Sequence, residues 1–145
     1  QMVGFAVMSF RENRWGGLVS QGLGTSMLQV PNLVKKPVLW LPPVITSIID
    51  GPIATCLFKL QMNGAPINSG MGTCGLCGQL GVWTGWLAPS ERAIANGAAA
   101  ITPTAFDWIG LILISFVLPA ILSWAFCEVL RKMDWIKEGD LVLPQ

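Results

Sequence analysis

Between Pro66 and Trp86 the chain reads PINSGMGTCGLCGQLGVWTGW, with six glycines, a cysteine pair, several small hydroxyls and no charge. An ordinary helix is not built this way, because each interior glycine costs about 1 kcal/mol relative to alanine. Apolar stretches flank the segment on both sides, which puts it at or inside a bilayer. Backbone without helical partners is tolerated at membrane depth only where protein buries it or where it lines a hydrated cavity. We therefore read residues 66–86 as a Gly-rich re-entrant hairpin whose peptide groups and small polar side chains face a polar solute.

The rest of the composition agrees with a bilayer setting. Hydrophobic residues make up 52% of the chain and charged residues 12%, against about 25% charge in soluble domains. Seven tryptophans supply interfacial anchors. The net charge of +1 is too small to suggest a nucleic-acid partner. Four cysteines (Cys56, Cys74, Cys77, Cys127) sit within or beside apolar segments, which argues against a secreted disulfide framework. With no histidine in the chain, imidazole acid–base chemistry and phosphohistidine formation are excluded within this stretch. No cofactor and no metal are called for. Gln1 is not an initiator and no signal-peptide pattern follows it, so the expectation is a fragment of a longer protein, entered near the end of a helix.

In chain order, Met2 to Phe10 reads as the last turns of a transmembrane helix, stopped by Arg11, Glu12, Asn13 and Arg14. Trp15 to Leu33 either lies on the interface or dips in and returns, with no net crossing. Residues 38–58 have the length needed to cross about 30 Å of hydrocarbon. Pro42-Pro43 and Asp50-Gly51-Pro52 predict that this span is kinked or broken. Ala88 to Thr104 reads as a short helix capped by Ser90 and stopped by Pro103, with an Ala/Gly face for close packing. Residues 107–126 form the cleanest span, and a polar cytoplasmic tail runs over residues 128–145.

Charge placement gives the orientation. If residues 38–58 and 107–126 each cross once, Arg11, Arg14, Lys35, Lys36, Arg131, Lys132 and Lys137 share one face, and only Lys59 and Arg92 the other. Seven against two is the bias that marks a cytoplasmic side. The expected fold class is thus an all-α integral membrane protein with transmembrane helices and Gly-rich re-entrant hairpins, its C-terminus cytoplasmic.

Two constellations bear on chemistry. In the glycine hairpin, Asn68, Ser69, Gly70, Gly72, Thr73 and Gln79 are the expected solute contacts, since amides and hydroxyls hold neutral polar ligands such as sugars. The competing reading is that the glycines only let helices approach closely. Asp50 is the one acid expected near the middle of a span, where it needs a partner or a wet cavity. It could act as a catalytic base, a proton-coupling group or an acceptor for a solute hydroxyl. Otherwise the helix breaks beside it and it reaches interfacial water. Cys74-Gly75-Leu76-Cys77 matches C-x-x-C, but neither a second ligand pair nor a soluble redox setting accompanies it. Small side chains in a packed hairpin explain it better.

At Gly24-Thr-Ser-Met-Leu-Gln-Val-Pro-Asn32 and at Gly70-Met-Gly-Thr-Cys-Gly-Leu-Cys-Gly-Gln79, the chain resembles the second family of phosphotransferase-system IIC components. That family includes proteins described as toxin regulators related to the perfringolysin O regulator. The ending LPAILSWAFCEVLRKMDWIKEGDLVL is similar to the family's last helix and tail. The resemblance spans essentially all 145 residues. It implies the C-terminal part of a homodimeric sugar permease in a bacterial cell membrane, which presents its solute to a phosphorylated cytoplasmic IIB partner. Glucose-type relatives use a hairpin glutamate and a histidine at the sugar; this hairpin has no acid and the chain no histidine. A membrane regulator that keeps the permease fold and a proton- or ion-coupled secondary transporter using Asp50 are the alternative functions.

Overall fold

The computed structural model describes residues 1–143, so Pro144 and Gln145 of the expected tail lie outside the described residues, as does the side chain of Ser69. Among the described residues every regular element is helical. The α-helices are α1 (Met2–Met8), α2 (Phe10–Val19), α3 (Val30–Lys35), α4 (Leu41–Pro52), α5 (Cys77–Leu87), α6 (Glu91–Ala95), α7 (Ala105–Ile112) and α8 (Leu118–Lys132).

Short 3-10 and π turns join some of these into longer rods. Two rods, Pro37–Leu57 and Ala105–Lys132, are long and apolar enough to cross a membrane, with mean hydropathies of 1.3 and 2.3. Only 22% of either window is buried inside the chain. Ile48, Leu57, Ile109, Ile112, Ile121 and Trp124 instead point outward, where the core helix of a soluble protein would bury them.

The expected break in the first rod is absent. Pro42 and Pro43 fall in the first turn of α4, where no intrahelical partner is needed from their missing amides. Pro52 does lie inside the helix, but the chain continues in a π turn over Ile53–Leu57. There Phe58 N bonds to the Ile53 carbonyl at 3.2 Å, and Thr55 Oγ1 donates to the Gly51 carbonyl at 3.0 Å. A hydroxyl and a wider turn thus re-satisfy the backbone around the proline. In the second rod a π turn over Leu113–Val117 likewise precedes Pro119.

Helices α1, α4 and α8 pack together. Thr46 of α4 donates to the Pro42 carbonyl at 2.8 Å and lies 3.1 Å from Ser123 Oγ of α8, so the buried hydroxyls at this crossing are satisfied. The larger core joins Phe5 and Met8, Leu33, Leu39, Cys127, and Ile136 and Leu141 from beyond α8. A smaller core joins Val82 and Trp86 of α5 to Leu111 of α7.

The segment from residue 60 to residue 87 doubles back on itself. Its turn holds Gly72, Gly75 and Leu76 in the left-handed region, and α5 returns along residues 62–68. Gly81 lies beneath the Asn68 and Met62 side chains, and Gly85 lies against the backbone of Asn63 and Gly64. The Ser90 amide closes the base by donating to the Asn63 carbonyl at 2.7 Å. Leu76 is the strained member, since a left-handed conformation costs a branched residue about 1–2 kcal/mol.

Two expectations need correction. The helix after Ser90 is only Glu91–Ala95; Ser90 Oγ does accept from the Ala93 amide at 3.4 Å. It ends at Gly97, whose φ of +86° turns the chain out of the helix, so Pro103 stops nothing. Ala98, Ala99 and Ala100 consequently form no helical packing face.

The polar tail is docked rather than loose. Ile136 and Leu141 are buried, and three amide side chains grip the backbone: Asn13 and Gln29 donate to the Leu141 carbonyl at 2.7 and 2.9 Å, and Asn32 donates to Val142 at 2.8 Å. Lys36 pairs with Asp140. Partial burial pushes the Asp140 carboxyl up, but hydrogen bonds from Lys36 and from the Lys137 amide, with both lysine charges, outweigh it and hold the group below the usual carboxylate range. A carboxyl depressed on folding stabilises the docked tail at neutral pH, and that contribution is lost as pH falls below about 4 and through the folded-state pKa. Protection of the amides at residues 136–142, as exchange relative to the unstructured chain at the same pH, should therefore fall in acid, and Asp140→Asn should remove that component of the pH dependence. Asn32→Ala should speed the same exchange by about fivefold at neutral pH, as expected for losing about 1 kcal/mol of hydrogen bonding.

Candidate functional site

The sequence motifs around Gly24 and Gly70 meet in space. Thr73, buried at the turn of the doubled-back segment, donates from Oγ1 to the Gly22 carbonyl at 2.7 Å. That bond joins the π turn Ser20–Gly24 to the glycine-rich turn. Beside the junction lies an open cavity of about 670 Å³, within the 300–1,000 Å³ range of small-molecule sites.

Its walls come from five parts of the chain: Gln1 and Met2; Thr25, Ser26 and Met27; Asp50 of α4; Gly70 to Cys74 with Gln79; and Ile114, Ser115 and Pro119 of the second rod. Five of the expected site residues, Asp50, Gly70, Gly72, Thr73 and Gln79, are thereby brought to one place. Asn68 is not among the lining residues; its side chain packs over Gly81 between the two limbs.

The polar groups of this cavity divide into those that hold the walls and those that remain free. Thr73 is spent on Gly22, and Thr25 Oγ1 accepts from the Met27 amide at 3.2 Å, starting the turn Ser26–Gln29. By contrast, Asp50 Oδ1 and Gln79 Oε1 are shielded from solvent and have no hydrogen-bond partner. A buried acceptor left unpaired costs about 1–3 kcal/mol, more when charged, so these two oxygens mark a place where a donor is wanted. Pro119 also removes the amide that would otherwise bond to the Ser115 carbonyl.

The π turn of the second rod borders the cavity through Ile114 and Ser115, whereas the first rod contributes Asp50, three residues before its own π turn. Such turns widen a helix and are frequent at functional sites. No Lys or Arg side chain lines it. Cys74 and Cys77 are both free thiols, and Cys74 alone of the pair lines the cavity. Among the described residues no group of three metal-ligating His, Cys, Asp or Glu side chains forms.

Sequence reasoning missed Thr25, Ser26 and Ser115. The first two stand inside the quoted motif at Gly24, and their hydroxyls beside glycine were the available signal. Ser115 had none beyond being a hydroxyl four residues before a proline in an apolar span.

A second cleft, about 560 Å³, lies between Gln61–Gly64 and α6 with Arg92 on its rim. Asn63 and Gln61 there already face each other at 3.4 Å, and the unpaired oxygens lie elsewhere.

Thr73→Val is expected to leave the Gly22 carbonyl unpaired and to lower stability by about 1–3 kcal/mol, measured by thermal unfolding of the purified protein. Cys74→Ser, on the same turn but outside that bond, should change it by less than about 0.5 kcal/mol.

A protein-family model described as "Phosphotransferase system, EIIC" matches residues 1–143. No curated protein and no solved structure matches the chain.

Proposed function

This chain belongs to the phosphotransferase system EIIC family, and on that premise we propose that it forms the solute-binding part of a sugar-translocating membrane component. The single observation that supports the reading is the cavity itself: Asp50 and Gln79, each with an oxygen that lacks a hydrogen-bond partner, line a space walled by both family-like glycine motifs and both candidate spans.

In this reading the doubled-back segment 60–87 is re-entrant, with its turn at the cavity. Its peptide groups are then satisfied by protein contacts and by the hydrated chamber. Asp50 and Gln79 accept hydrogen bonds from solute hydroxyls, Ser26 and Ser115 donate or accept, and Gly70 and Gly72 let the solute approach the backbone. Asn68 supports the hairpin, and Ser69 stays a proposed contact on sequence grounds.

The basic residues assigned to the cytoplasmic side gather at one end, where Arg11 pairs with Glu128, Arg131 with Glu12 and Lys36 with Asp140. That end is the proposed face for a phosphorylated IIB partner, and the functional unit is proposed to be a homodimer. The chain supplies no phosphoryl nucleophile of the histidine type, so phosphoryl transfer belongs to the partner; Asp50 would at most accept the proton of the reacting hydroxyl.

The test is uptake of labelled sugars into vesicles carrying the full-length protein. Uptake that requires phosphoenolpyruvate and the soluble phosphotransfer proteins, and that falls at least tenfold in Gln79→Leu, is the expected result. Uptake driven by a pH gradient alone and lost in Asp50→Asn would favour a proton-coupled transporter instead. Deletion that alters toxin transcription but leaves uptake unchanged would favour a regulator.

A further inference from the structure

The charge inventory of the cavity constrains what it holds beyond the general class of sugar. We infer that its preferred solute is a polyhydroxylated amine, of the aminohexose class, rather than a neutral hexose. This rests on reading the cavity as the solute site.

The argument starts from Asp50. It is the one carboxylate among the lining residues, and no Lys or Arg lines the same space. Among the described residues its side chain forms no ion pair. Oδ1 is shut off from solvent without a donor. An acid at membrane depth requires a counter-charge or water, and the protein's own side chains supply no counter-charge here.

The surroundings sharpen the need. Met2, Met27, Met71, Ile114 and Pro119 make much of the wall apolar, which lowers the local dielectric and strengthens any charge pair formed inside. Gln79 Oε1 is a second acceptor without a donor, while the Thr73 hydroxyl is spent on the Gly22 carbonyl and Thr25 Oγ1 accepts from the Met27 amide. The unfilled demand is therefore for donors, one of them charged. A neutral hydroxyl satisfies either oxygen but leaves Asp50 uncompensated. An ammonium satisfies the oxygen and compensates the charge, and the neighbouring hydroxyls of the same solute reach Gln79, Ser26 and Ser115.

Equilibrium binding to the purified full-length protein in lipid nanodiscs tests this with three probes: a hexose, its 2-amino-2-deoxy analogue in the ammonium form, and the N-acetyl derivative of that analogue. The aminohexose is expected to bind at least tenfold more tightly than the other two. Asp50→Asn should bring that ratio below threefold, and Asp50→Glu should keep most of it. Equal or tighter binding of the neutral hexose would overturn the inference while leaving the solute site standing. A preference for the amine that survives undiminished in Asp50→Asn would also overturn it. Binding of none of the three would overturn both the inference and the reading beneath it.

Discussion

Gly85→Ala is expected to destabilise the protein by about 3 kcal/mol, the upper part of the range for overpacking a closed interface. A methyl group built on Gly85 would stand 2.5 Å from the Gly64 nitrogen and 2.7 Å from the Asn63 carbonyl carbon. Those are main-chain atoms, so no side-chain rotation relieves the clash and the two limbs must separate. Gly64→Ala presses on the Gly81 carbonyl from the opposite side and should cost a similar amount. Gly51→Ala is the control: nothing lies within 4 Å of its added carbon, and alanine in a helix is favoured over glycine by up to about 1 kcal/mol. Chemical unfolding in detergent would compare the three. Equal losses in Gly85→Ala and Gly51→Ala would mean that the limbs do not pack as described.

Arg131→Met is the second large effect, expected to cost about 3–5 kcal/mol. The Arg131 and Glu12 side chains are 8% and 6% exposed and meet at 2.8 Å. Arg131 also donates to the Met8 carbonyl at 3.3 Å, so one guanidinium ties α8 to the junction of α1 and α2. Removing it strands a buried carboxylate whose second oxygen already lacks a partner. Glu12→Met combined with Arg131→Met should recover most of the loss, because two apolar groups need no compensation. A double-mutant cycle on unfolding free energy checks this. Arg11→Met gives the contrast: its partner contact with Glu128 is half exposed on the arginine side, so the change should stay within about 1 kcal/mol.

These two sites also show what local sequence can and cannot say. Gly85 stood out in the sequence as part of a glycine-dense stretch, and the close-packing reading of that stretch describes only some of its glycines. Gly78, Gly81 and Gly85 serve close packing, whereas Gly70 and Gly72 lie at the turn that lines the cavity. Spacing alone cannot divide them, because the division depends on which backbone lies opposite. Arg131 looked like a topology charge beside Lys132. Its pairing with Glu12 spans 119 positions, and nothing in either neighbourhood signals it.

The motif around Gly24 was divided in the same way. Thr25 and Ser26 face the cavity, while Gln29 and Asn32 hold the tail. The prolines of the first span do not break it, for a physical reason: two fall where a helix needs no amide donor, and the third is accommodated by a π turn and a threonine hydroxyl.

Hydrophobic density, span length and the family-like motifs were properties of the sequence itself, because they depend on composition and on residues close together in the chain. The tertiary structure alone decided that Asp50, Gln79, Ser26 and Ser115 share one cavity, that Asn68 packs outside it, and that the tail folds back onto α2 and α3. Each of those facts is a contact between distant positions, set by how bulky and absent side chains let the rods approach, and no local pattern carries that information.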